Sequence, residues 1–248
     1  MSPFELNGKT ILVTGASSGI GRETAICIAK MGGTLILSGR NKERLSETMA
    51  ALAGSGHAII PADLLEEEQI DRLVDEVAQL DGIVHSAGIV RPFPIKFIGK
   101  RQIDELYNIN YTAPVLLNSK LFKRKKINDE ASIVFMSSIS SQFPHKGGAL
   151  YSGAKSALNA YCKVIALEYA AKKIRANYIS AAMVKTPLFD EAEKAISKEM
   201  MDAHGSHYPL GFGEPEDVAH AVVFLLSSAS RWITGTGIVM DGGLTAGQ

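Results

Sequence analysis

The sequence is short of cysteine, of net charge and of long apolar runs, and each shortage narrows what the chain can be. Its two cysteines, Cys27 and Cys162, both fall in helical patterns; they exclude a disulfide framework of the secreted kind and read as small apolar residues. Twenty-six basic residues are matched by 26 acidic ones. Phosphate binding needs a concentrated basic surface, so nucleic acid is not an expected partner. No apolar run approaches the length that crosses a bilayer, and the opening MSPFELNGKT lacks the basic start and apolar core of a secretory leader. The expectation is no membrane contact and a cytoplasmic location. Repeats, low-complexity tracts and linkers are missing too, so the 248 residues, 46% of them hydrophobic, read as one domain.

What is present is a regular alternation. TILVTG, TLILSG, HAIIPAD, DGIVHSAG, ASIVFMSS, IRANYIS and GIVMDGG read as seven strands, and their near-continuous apolar character marks strands covered on both faces. KERLSETMAAL and EEEQIDRLVDEVAQL supply crossover helices between them. The pattern predicts an α/β fold, a doubly wound parallel sheet with helices on both faces. The rhythm breaks from Pro187 to Pro215, where no strand, a weak helix and several glycines suggest a mobile flap over a substrate site.

The first strand is followed by TGASSGIG and then a helical run. Gly15, Gly19 and Gly21, with Ser17, Ser18 and Ile20 between them, allow a tight turn in which backbone N–H groups and a helix N-terminus meet a pyrophosphate. This spacing, G-x-x-x-G-x-G, at the end of the first strand of an alternating chain points to a dinucleotide. About 20 residues on, an acid would accept the ribose 2′-hydroxyl, whereas an arginine would receive a 2′-phosphate. Here Ser38, Gly39, Arg40 and Asn41 offer no carboxylate, which favours NADP(H) over NAD(H). Asn41 is also well placed simply to cap the next helix.

Two tyrosines have a lysine four residues on: Tyr151 with Lys155, and Tyr169 with Lys173. A phenol that gives up a proton near neutral pH needs its pKa lowered by about three units, or about 4 kcal/mol. A lysine at about 4 Å supplies that in a partly dry cleft and far less in water. Tyr151 opens its helix at the cofactor edge of the sheet; Tyr169 and Lys173 are expected in the last turns of the same helix, on the far side. Ser138, at the end of the fifth strand, precedes a loop that can return Tyr151 to face it. The first pair is therefore the candidate chemistry, and the second reads as surface or oligomer contact.

TGASSGIG, Asn110 in NIN, Ser138, YSGAK and the closing ITGTGIVMDGG, in order along nearly the whole chain, resemble the short-chain dehydrogenase/reductase family and its Rossmann fold. The resemblance implies that Tyr151 is the general acid in carbonyl reduction, that Lys155 lowers its pKa and binds the nicotinamide ribose, that Ser138 donates to the substrate carbonyl, and that Asn110 holds a relay water. It also implies cofactor contacts by Ser17, Ile20, Arg40, Asp63 and Leu64 at the adenosine end, and by Ala87, Gly88, Val184 and Thr186 along the dinucleotide. A ketone reductase using NADPH is implied, most like one acting on a 3-oxoacyl thioester, free or held on acyl carrier protein. A polyol, sugar or steroid enzyme and a non-catalytic NADP(H) sensor are the alternatives. A homotetramer built from the long helices after the fourth and fifth strands is implied as well.

Two departures stand out. His85 and Ser86 replace the family's usual Asn-Asn, leaving fewer groups to brace neighbouring strands, and Ala181-Ala182 replaces the usual Pro-Gly. His204 and His207 form an H-x-x-H without a third ligand, so no metal site is expected, and His145 reads as a loop histidine near the substrate. Lys120, Lys123, Arg124, Lys125 and Lys126, with Lys172 and Lys173, are a candidate docking patch for an acidic carrier, although the helix dipole alone accounts for cations at a helix end.

Overall fold

The computed structural model describes residues 2–190 and 198–247. Seven parallel strands, β1 (Thr10–Thr14), β2 (Thr34–Ser38), β3 (Ala58–Ile59), β4 (Leu80–His85), β5 (Ile127–Ser138), β6 (Arg175–Ala181) and β7 (Gly237–Met240), lie in the order β3-β2-β1-β4-β5-β6-β7. All seven expected strands form. Side chains alternate between faces along each strand, and both faces are buried along the central strands. Leu12, Ile83, Ile133 and Phe135 enter one core, while Ile11, Val13, Val84 and Val134 enter the other.

Helices α3 (Glu67–Glu76), α5 (Ala113–Lys123) and α6 (Ala149–Glu168) cover the first face, and α1 (Gly19–Lys30), α2 (Lys42–Ala50) and α8 (Pro215–Leu226) cover the second. Helix α4 (Lys100–Tyr107) runs through a wide turn at Asn108–Thr112 into α5, and α7 (Lys198–Gly205) lies in the expected flap. The strand order reverses at β1, between β2 and β4, so the carboxyl ends of β1 and β4 open a crevice there. Thr14 pairs with His85, His85 with Phe135, and Ser138 with Ala181, which brings the ends of β1, β4, β5 and β6 to one edge.

Candidate active site

A cleft of about 1380 Å³ follows that edge. Gly15 (φ +67) and Gly19 (φ +53) adopt left-handed backbone, where a side chain is strained. A Cβ on Gly15 would stand 2.8 Å from the Ala87 backbone nitrogen, and one on Gly21 would stand 2.3 Å from the Gly15 carbonyl oxygen. Helix α1 starts here with no side-chain cap and no acid in its first turn, whereas Asn41 caps α2 and α3 opens on Glu67 and Glu68. Its first N–H groups and positive dipole end are left for an anion. A side-chain-free cradle at an uncapped helix start fits a dinucleotide pyrophosphate.

Gly15, Ser17, Ser18, Gly19, Ile20, Gly21, Arg40, Asp63, Leu64, Ala87, Gly88, Val184 and Thr186 all line the cleft. Asn41 does not share that lining: its Oδ1 accepts from the Arg44 backbone N–H at 2.8 Å, the capping role. Thr14 Oγ1 accepts from the N–H groups of both Ser86 and Ala87, tying β1 to the β4 loop.

At the other end of the cleft Ser138, Tyr151, Lys155 and Asn110 come together. Tyr151 is in the first turn of α6, half-buried, and lines the cleft with Ser138 close enough to act on its phenol. Ser138 Oγ also accepts from the Ser140 N–H at 3.1 Å, which orients it. Lys155, one turn along, is 5% exposed and donates from Nζ to the Met136 carbonyl at 2.8 Å, with its ammonium 5.6 Å from the Tyr151 ring centroid. Asn110 lies in the wide turn before α5; its amide donates to the carbonyls of Ile89 and Leu106, and its Oδ1 accepts from the Ile89 N–H. Both amide protons are taken, so Asn110 braces the β4 loop and keeps one oxygen lone pair for a further donor.

Burial pushes the Tyr151 phenol up to about 12, against a smaller opposing effect of Ser138. Burial lowers Lys155 to about 8 in the same pocket. A dry site penalises each charged form separately, and the ammonium is directed at a backbone carbonyl instead of the phenol oxygen.

The second tyrosine pair also differs from expectation. Helix α6 ends at Glu168, so Tyr169 is its cap and Lys173 stands beyond a 3₁₀ turn at φ +55. Tyr169 stacks on Phe122 at 3.8 Å, and Lys173 pairs with Glu130. Part of the basic run is likewise paired within the chain. Lys120 bridges Glu67 and Asp71, Arg124 pairs with Asp71 and Asp75, Lys126 donates to the Asp75 and Val77 carbonyls, and Lys172 pairs with Asp129.

The flap contributes Pro187, Leu188 and Phe189, then Met201, His204, His207 and Tyr208, to the cleft wall; residues 191–197 of the expected flap lie outside the described residues. Val184 and Gly213 make a short parallel bridge where no strand was expected. His145 lines the cleft as an exposed loop residue whose ring nitrogen contacts Ser140 Oγ at 3.4 Å. Met201 and Tyr208 escaped the sequence reading, as did Leu244 and Thr245 near the C-terminus. A signal existed for the first: Met201 and His204 are three apart, on one face of α7. At the departures, His85 stacks on Phe135 at 4.8 Å and shares a 3.0 Å hydrogen bond with Asn118 Oδ1, while Ala182 N–H bonds the Met240 carbonyl.

The family model described as Enoyl-(Acyl carrier protein) reductase matches residues 15–245. The chain belongs to the short-chain dehydrogenase/reductase family. It is 32% identical to a 3-oxoacyl-[acyl-carrier-protein] reductase of Rickettsia conorii over 97% of this chain and 98% of that protein. It is also 32% identical to a glucose 1-dehydrogenase of Gluconobacter oxydans, over 96% and 92%. A solved short-chain type dehydrogenase/reductase from Mycobacterium ulcerans superposes with a TM-score of 0.87 at 30% identity, over 97% and 90% of the two chains. As a short-chain dehydrogenase/reductase, the chain is an NAD(P)-dependent oxidoreductase. Among the described residues no helix is long and apolar enough to cross a membrane.

Proposed function

We propose that the chain reduces the ketone of a 3-oxoacyl thioester to a secondary alcohol with NADPH. The observation that carries this reading is the meeting of Ser138, Tyr151 and Lys155 at one end of a cleft whose other end is the glycine cradle. A nicotinamide held in that cleft would supply the hydride for the carbonyl carbon. Ser138 Oγ holds the carbonyl oxygen, and Tyr151 Oη gives that oxygen its proton as charge develops there. Burial keeps the phenol protonated until charge develops on the carbonyl oxygen. Lys155 Nζ orients the ribose, and Asn110 holds the loop that carries Gly88. Arg40 at the cleft rim, with no acid at the end of β2, supports NADPH over NADH.

Phe143, Leu188, Phe189 and Met201 give the substrate end an apolar wall that supports an acyl chain over a polyhydroxylated sugar. One observation favours a second reading, a small free ketone or alcohol: Lys120, Arg124, Lys172 and Lys173, four of the cations expected to greet a carrier protein, already have acidic partners. Exposed Val164 and Leu167 on α6 support assembly of several copies through that helix. The test is a substrate panel followed by loss of reduced nicotinamide. Carrier-linked and coenzyme A-linked 3-oxoacyl thioesters, glucose and a steroid ketone are each offered with NADPH and with NADH. Turnover of thioesters with NADPH is expected; turnover confined to sugars or steroids refutes the substrate assignment.

A further inference from the structure

On the layer away from Tyr151, α1 and α8 pack side by side, and each presents two ligand-type side chains four residues apart, hence on one face. On α1 these are Glu23 and Cys27; on α8 they are Glu216 and His220. Cys27 Sγ, a Glu216 carboxylate oxygen and a His220 ring nitrogen all lie within 4.8 Å of one another. The Cys27 thiol donates to Glu23 Oε1 at 3.9 Å, and His220 Nε2 stands 3.8 Å from Glu216 Oε1. Cys27, Glu216 and His220 border a surface cleft of about 310 Å³, with Cys27, 4% exposed, beneath the exposed Glu216 and His220.

We propose that this is a binding site for a divalent metal ion of the zinc type, held by the Cys27 thiolate, Glu216 and His220, with Glu23 or water as the fourth ligand. Mixed sulfur, nitrogen and oxygen donors select zinc over magnesium or calcium, which take oxygen alone. Metal–ligand bonds of about 2.0–2.3 Å bring tetrahedral ligand atoms to roughly 3.5 Å from one another. The three groups therefore close by about 1 Å, a movement that the exposed Glu216 and His220 side chains can make by changing rotamer. On binding, the thiol proton leaves to solvent and the sulfur takes the metal in its place. Burial and the Glu23 carboxylate hold the thiol protonated until then, with Lys30 pulling the other way. A bound ion would clamp α1 to α8 about 12 Å along the helix from Gly19. It would steady the glycine turn without touching any group assigned to the reaction, so this inference stands apart from the proposed function.

Cobalt(II) titrated into the full chain tests it, because thiolate-to-cobalt absorption reports a cysteine ligand directly. Cys162 is fully buried on the opposite face of the sheet and does not compete. The expected result is one site whose band is displaced by zinc and is lost in Cys27→Ser. Affinity should fall at least about tenfold in Glu216→Gln and in His220→Ala, whose exposed positions leave the fold intact. Zinc should also raise the melting temperature of the unmodified chain and not that of His220→Ala. Absence of the band in a large excess of cobalt, or a band whose affinity is unchanged in both exposed variants, overturns the site.

Discussion

Gly21→Ala tests whether the turn after β1 is a phosphate cradle, because it sets two effects of opposite sign against each other. Gly21 is the third residue of α1, and its backbone is not left-handed. Alanine within a helix is favoured over glycine by about 1 kcal/mol. Against that, the new Cβ would stand 2.3 Å from the Gly15 carbonyl oxygen, 2.8 Å from its carbon and 3.2 Å from Ser86 Oγ. The Gly15 carbonyl is backbone in a tight turn and must retreat by about 1 Å, an overpacking of the kind that costs about 1–3 kcal/mol. Folding is thus expected to lose no more than about 2 kcal/mol, a modest drop in melting temperature. The cradle fares worse. Displacing phosphate-binding N–H groups by about 1 Å is expected to weaken NADPH binding by roughly 100-fold, by analogy with the cost of a similar misplacement in catalysis. Fluorescence titration of NADPH beside a thermal melt measures both. A lowered melting temperature with unchanged NADPH affinity would refute the cradle.

Four further outcomes follow from the same geometry. Arg40→Asp should shift preference from NADPH toward NADH, with NADPH weakened about 10- to 100-fold by loss of one charge-assisted phosphate contact, as read from kcat/KM with each cofactor. Lys155 is lowered to about 8, so the reductive rate should hold below that pH and fall above it as the ammonium is lost, with Tyr151, near 12, still protonated. His85 is lowered to about 4 by burial, so the unfolded chain binds more protons between pH 6.5 and 4 and acid erodes stability there. Replacing it in His85→Asn should remove up to about 3 kcal/mol of that pH dependence, seen by denaturant unfolding at several pH values. Leu167→Lys, on an exposed apolar face of α6, should shift any assembly toward smaller species in light scattering.

The fold was legible because the central strands are covered on both sides, so apolar runs such as ILV and IVF identified themselves without needing the register. The positions of Tyr151 and Ser138 were legible for a related reason: strand ends and helix starts at the carboxyl edge are fixed by the alternation itself. Electrostatics was not. The sequence gives Tyr151 and Lys155 four residues apart but not the Met136 carbonyl that takes the ammonium, and burial then dominates the phenol. The ion pairs of the basic run were hidden for a similar reason, because the cations of α5 and the acids of α3 are distant in sequence and adjacent only once the helices pack. Lys173 shows the third limit. A helix period carried it one turn too far, and the chain had already left the helix at Glu168.

Single-turnover reduction of a 3-oxoacyl thioester by Tyr151→Phe, with NADPH affinity measured on the same sample, tests the central claim most directly. Removing only the hydroxyl should leave NADPH binding intact and slow the chemical step about 10²- to 10⁴-fold, or about 3–5 kcal/mol. A variant that binds NADPH equally well and reduces the ketone at the full rate would show that the proton comes from elsewhere.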